Sequence, residues 1–274
     1  MLTTPGGPRL SANIHRVPEG GSVVHAGNKI YLLDASGAVI STAISNAIVN
    51  ANIHIPTKRF NSGWLAHAHW RNQGSSPISS LTGSWVVPPA PKTNNGQTVY
   101  LFNGIEPDSG DSILQPVLQY GPSPAGTPSG SGWGVASWYV TDTQAYYTNL
   151  VSVSVGQSLT GNIQLAQNPA LSILQALGLT SGYYYQASFP NIGGTTLSVS
   201  SNEELTWACQ TLEVYGATDA SQLPSGNTVF SNIQLQTQQG VPSVTWDTIS
   251  DPSDGVSATV NTQGAANGQV TITY

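Results

Sequence analysis

Eleven short runs between Gly83 and Thr273 are rich in apolar and aromatic residues, and Gly, Pro, Asn or Ser punctuates the gaps between them. Many of the runs alternate apolar and polar residues with a period of two. Examples are Thr98-Val-Tyr-Leu-Phe, Ile113-Leu-Gln-Pro-Val-Leu-Gln, Trp133 to Val140, Glu204 to Tyr215 and Asn227 to Gln234. Half-buried antiparallel strands alternate in this way. Many short strands joined by turn signals predict an all-β domain over residues 60–274, a sandwich or barrel. One helix is expected, Asn168 to Leu179, with Pro169 in its first turn and Gly178 near its close.

Residues 1–59 differ. They hold Arg9, Arg16, Lys29, Lys58 and Arg59 against Glu19 and Asp34, five cations less two acids, a net of +3. A hairpin is expected from Lys29-Ile-Tyr-Leu-Leu through the turn Asp34-Ala-Ser-Gly37 to Ala-Val-Ile. Thr42 to Ile55 is apolar and suits a short helix, and Lys58 and Arg59 form a basic pair in a loop. A cationic segment ahead of an acidic domain fits a prosegment, docked by charge complementarity and released in acid. It equally fits an ordinary N-terminal hairpin that pads the domain.

From Thr93 to the C-terminal Tyr274 there is no lysine, arginine or histidine. The chain has 13 acids, and all but Glu19 and Asp34 lie in this stretch. A carboxylate without a cation gains little from folding, so its protonation costs the fold little, and acid tolerance is expected. A site drawn from this stretch alone has no general-base His and no Arg or Lys electrophile.

Only 7% of residues are charged, against a usual quarter or so. Seven Trp and eleven Tyr argue against disorder. A net charge of −6 argues against nucleic acid as a partner. No run approaches a membrane span. Cys209 is the single cysteine, so no internal disulfide exists. Composition and acid tolerance favour an extracellular destination. The absence of a leader, the absence of Asn-x-Ser/Thr sequons and the free cysteine favour the cytoplasm. Oligomeric state is not legible.

Several chemistries are excluded or weakened. There is no nucleophile elbow and no HExxH, and Asp108-Ser-Gly lacks the second such turn that aspartic proteases need. His67 and His69, in Trp64-Leu-Ala-His-Ala-His-Trp70, would share one face of a strand. With no third ligand in view they are read as a solvent-facing pair on an edge strand, and no metal or cofactor is expected. Asp247, Asp251 and Asp254 make an acidic turn. Calcium would suit it, but turn chemistry explains Asp, Pro and Gly without calcium.

One constellation remains. Aromatics and carboxamides on neighbouring strands (Phe102, Gln115, Gln119, Trp138, Tyr139) would line one concave sheet face. Glu213 adds a carboxylate to an apolar strand, where desolvation raises a pKa toward that of a useful acid or base. Gly83-Ser-Trp-Val-Val-Pro88, Phe102-Asn-Gly-Ile-Glu106, Ile113-Leu-Gln115 and Ser137-Trp-Tyr139 stand in the order and at the spacing of the glutamic peptidases. Over residues 60–235 the chain resembles that family, the acid proteases that use a Glu/Gln dyad on a two-sheet β-sandwich.

The resemblance implies an antiparallel sandwich of the concanavalin A-like or jelly-roll type. It implies Gln115 as the dyad glutamine and residues 1–59 in the place of a propeptide, hence a secreted zymogen. The family's Asp is Glu106 here, and its Trp is Phe102. For the dyad glutamate two frames exist, Glu213 and Gln210. They lie three apart and so face opposite sides of a regular strand. With Glu213 as the base, Gln115 would hydrogen-bond the oxyanion. Phe102, Glu106, Gln119, Trp138, Tyr139 and Gln210 would hold an extended peptide. Rival readings are a non-catalytic glycan-binding module and a non-proteolytic enzyme on the same scaffold.

Overall fold

The computed structural model describes residues 1–45, 63–74, 76–130, 132–167, 182–250 and 255–274. Among these, nearly all regular structure is β. Two short 3-10 turns, Ser11–Asn13 and Ala220–Gln222, are the exceptions. The helix expected over 168–179 lies outside the described residues. Of the helix expected over 42–55, residues 42–44 are strand, Ser45 is in no regular element, and residues 46–55 lie outside the described residues.

The strands build two sheets. A nine-stranded sheet runs β19 (Asp247–Ser250), β7 (Gly63–Arg71), β17 (Leu205–Tyr215), β9 (Thr98–Pro107), β10 (Ser112–Tyr120), β11 (Trp133–Thr141), β12 (Ala145–Tyr147) and β3 (Ile14–Arg16). β13 (Val151–Val153) also pairs with β11. A ten-stranded sheet runs β20 (Ser257–Thr262), β21 (Gly268–Thr273), β18 (Asn227–Thr237), β8 (Ile78–Val86), β14 (Ser158–Leu165), β15 (Tyr183–Ser188), β16 (Leu197–Ser201), β4 (Ser22–Ala26), β5 (Lys29–Leu33) and β6 (Val39–Ile44). A separate hairpin, β1 (Leu2–Thr4) with β2 (Gly7–Arg9), precedes both.

The fold is the expected β-sandwich, with one departure. Its pairings are antiparallel except where the N-terminal segment joins. There β3 runs parallel to β12 and β4 parallel to β16. Residues 14–44 thus extend one edge of each sheet, and the hairpin read from Lys29 onward is β5 paired with β6.

Alternation places one side of each strand in the core between the sheets. Leu101, Leu114, Leu118 and Tyr139 meet Leu81, Trp85, Tyr185 and Phe230 there. Each such side chain contributes roughly 1.5–3 kcal/mol by leaving water. A polar tie crosses this core from Asn103 Nδ2 to the Gly161 carbonyl at 3.2 Å. A Cβ on Gly161 would sit 2.2 Å from Asn103 Oδ1, so the close approach needs glycine.

β7 corrects one expectation. It lies between β19 and β17 rather than at an edge, and His67 is 1% exposed. The strand that covers it begins at Asp247, where the sequence reads as a turn.

Candidate functional site

The outer face of the nine-stranded sheet, turned away from the core, carries a second apolar cluster. Tyr100, Phe102, Val117, Trp138, Cys209 and Tyr215 belong to it. Period two decides which candidates join it. On β10 Gln115 and Gln119 fall in step with Ile113 and Val117, and on β17 Glu213 falls in step with Cys209 and Tyr215.

Gln210 pairs with Asn103 and shares its inward side, where both its amide atoms are buried and unpartnered. Tyr139 also points inward, and its hydroxyl meets His25 Nδ1 at 2.6 Å. Neither residue lines the face on which an extended peptide was expected. Adjacent strand residues such as Trp138 and Tyr139 point to opposite sides, and Gln210 is an odd number of positions from Glu213.

The ladders set the rows. Leu114 pairs with Ile105, which brings Gln115 level with Gly104, and Gly104 pairs with Cys209. Glu213 pairs with Tyr100, four residues along β17 from Cys209, or roughly 13 Å at strand rise. Gln115 and Glu213 therefore share a face but not a row. Glu106, on the strand next to Gln115 and one same-face position beyond Gly104, is the nearer carboxyl by register.

Each group has a distinct environment. Gln115 is fully buried, and neither its oxygen nor its nitrogen has a hydrogen-bond partner. Glu213 Oε1 accepts from the Tyr215 hydroxyl at 2.5 Å and from the Gly6 backbone N–H at 2.8 Å, while Oε2 has no partner. Burial pushes the Glu213 carboxyl up to about 7, against the opposing pull of those two bonds and of the Arg9 charge. Burial, reinforced by the charge of Glu213, pushes Glu106 up to about 8. Burial also raises the Cys209 thiol well above its ordinary value, which leaves it a poor nucleophile. Gln119 donates to Ser123 Oγ at 2.7 Å.

The residues that complete this environment were not read from the sequence. The β1–β2 hairpin lies on the outer face. Its tip is buried at Thr4, Pro5 and Gly7. The Tyr100 hydroxyl donates to the Thr3 carbonyl at 3.4 Å, and Arg9 Nη2 donates to the Thr141 carbonyl at 2.8 Å. The turn itself was legible in Pro5-Gly6-Gly7. Its docking partners lie more than ninety positions away and gave no local signal.

Beside this region a cleft of about 720 Å³ is lined by His69, Trp70, Trp207 and Asp247, with Gln239, Gly240 and Val241 among its walls. His69 stacks on Trp207 at 5.0 Å. Among the described residues no three Cys, His, Asp or Glu side chains gather as a metal site. No described helix is long and apolar enough to cross a membrane.

No family model matches the chain. A stretch of 122 residues is 27% identical to the Arabidopsis thaliana AT-hook motif nuclear-localized protein 24. The match spans 44% of this chain and 36% of the length of that protein. Among solved structures, Scytalido-glutamic peptidase with a peptide-based transition-state analogue is similar at a TM-score of 0.48 and 16% identity, over 78% of this chain and 98% of that one. SCP-B, a member of the eqolisin family of peptidases in complex with the tripeptide Ala-Ile-His, is similar at 0.46 and 16%, with the same coverage.

Proposed function

We propose that the protein is a secreted acid peptidase held latent by its own N-terminal hairpin. The observation that carries this reading is the Gly6 N–H bonded to Glu213 at 2.8 Å. The outer face already accommodates a polypeptide, with a backbone N–H on a carboxylate and a backbone carbonyl at Tyr100. A face that recognises backbone groups suits a peptide substrate better than a glycan.

The reacting set on this reading is Glu106, Gln115 and Glu213. With the hairpin docked, both carboxyls are desolvated and hold their protons toward neutral pH. Neither can then act as a base in acid. Withdrawal of the hairpin readmits water to Glu213, and its value falls back toward the ordinary ~4.3. Two interacting carboxyls then titrate in separate steps, one ionised while the other keeps its proton.

The ionised member takes a proton from water as the water oxygen attacks the scissile carbonyl carbon. The free Gln115 amide donates to the oxyanion. Collapse breaks the C–N bond, and the protonated carboxyl delivers its proton to the leaving amine. Register favours Glu106 as the partner of Gln115, with Glu213 as the carboxyl that the hairpin masks.

The test is incubation of the wild type and a Gly6→Val variant with an unfolded protein between pH 3 and 7, alongside a polysaccharide panel. Peptide cleavage by the variant supports the reading. Polysaccharide hydrolysis without peptide cleavage would assign the carboxyl pair to glycoside chemistry instead. Glycan binding without any turnover would make the face a lectin.

A further inference from the structure

The histidine pair on β7 has no structural explanation as it stands. His67 is almost completely buried, and neither of its ring nitrogens has a hydrogen-bond partner. His69 Nδ1 is also buried and unpartnered. An orphaned buried polar group costs about 1–3 kcal/mol, and here three ring nitrogens on two adjacent rings are orphaned. Trp64 packs edge-on against His67 at 5.1 Å, and Trp207 stacks on His69. The aromatic packing fixes the rings without satisfying them.

The two ring centroids are 5.3 Å apart and tilted by 48°. Two imidazoles bound to one metal at the usual 2.0–2.1 Å have centroids roughly 5 Å apart. The i, i+2 spacing on a strand turns both rings to one side. The cleft lined by His69, Trp207 and Asp247 gives a route in. Asp247 pairs with His69 across β19 and β7, so its carboxylate adds a negative charge beside the entry.

We propose that His67 and His69 form a two-histidine chelate for a transition-metal dication of the copper and zinc class. Imidazole ligands select such ions over calcium and magnesium, and Cu(II) stands first in the affinity order. Among the described residues no third ligating side chain converges on the pair. The remaining positions therefore go to water, and the ion exchanges freely. This inference does not depend on the peptidase reading.

The test uses the full chain, stripped of metal, titrated with CuCl₂ and separately with ZnCl₂. Calorimetry should give one saturable site. Substoichiometric Cu(II) should broaden the imidazole proton resonances of His67 and His69 and spare those of His15, His25 and His54. His69→Asn should weaken binding at least tenfold, with circular dichroism confirming the fold. Should that variant not fold, the broadening pattern in the wild type decides alone. Absence of saturable binding overturns the proposal, as does broadening centred on another histidine or on the N-terminus. So does affinity unchanged in a folded His69→Asn variant.

Discussion

The backbone N–H of Gly6 donates to Glu213 Oε1 across 207 positions of sequence. This bond joins the β1–β2 hairpin to a buried carboxyl on the outer sheet face. Gly6 has φ +81°, and a Cβ there would lie 2.9 Å from Val140 Cγ1. An L-residue in that conformation costs about 1–2 kcal/mol, before any contact with Val140 is counted. Gly6→Val should therefore shift the hairpin toward the undocked state by about tenfold, since 1.4 kcal/mol is a factor of ten. Hydrogen exchange at the amides of residues 2–9 reads this directly, and those amides should exchange faster in the variant.

The raised carboxyls give the stability a defined pH slope. Glu106 and Glu213 stand at about 8 and about 7 in the folded state, against an ordinary 4.5. The folded state thus binds protons more tightly than the unfolded one. The contribution is complete below about 4.5, drains away while the unfolded carboxyls are ionised and the folded ones still protonated, and is gone above about 7 for Glu213 and about 8 for Glu106. His67, pushed by burial to about 3, is neutral in both states over that upper range. The melting temperature should fall between about pH 6.5 and pH 8 and level off above that, and Glu106→Gln should flatten the fall. A chain of this size shifts by about 2–4 °C per kcal/mol.

Asn103 and Gly161 make a packing test independent of any activity. Gly161→Ala would drive a methyl group to 2.2 Å from Asn103 Oδ1 and 2.9 Å from Trp85. Overpacking of this kind costs about 1–3 kcal/mol. Thermal denaturation should show the loss, and Asn103→Ala in the same chain should recover part of it.

Two of the buried glutamines separate structure from chemistry. Gln210 and Gln115 both bury an unpartnered amide. Replacing such a group with an apolar one of similar shape is nearly neutral or stabilising. Gln210→Leu should hold or raise the melting temperature without changing turnover. Gln115→Leu should behave alike in stability and lose turnover.

Much of the sheet structure was legible. The runs at Thr98, Ile113, Trp133 and Glu204 are β9, β10, β11 and β17, because alternation with β-branched and aromatic residues is a local signal. Alternation also separates Gln210 from Glu213 once the strand is known to be regular. What it cannot show is register. Whether Glu213 stands level with Gln115 or four residues away depends on pairing between strands a hundred residues apart. His67 was misplaced because its cover, β19, has four residues and opens on Asp247, a turn former. The β1 and β2 strands have three residues each, and Pro8 lies in one of them, so no period could announce them.

The central claim is that the outer face hydrolyses peptide bonds through a carboxyl and the Gln115 amide once the hairpin has left. The most direct measurement is the initial rate at which Gly6→Val, alone and combined with Gln115→Leu, cleaves an unfolded protein from pH 3 to pH 7. The account predicts cleavage on the acid side by the single variant and its loss in the double variant, both remaining folded. Equal rates in the two variants, or no cleavage by a Gly6→Val chain whose hairpin exchanges freely, would contradict it.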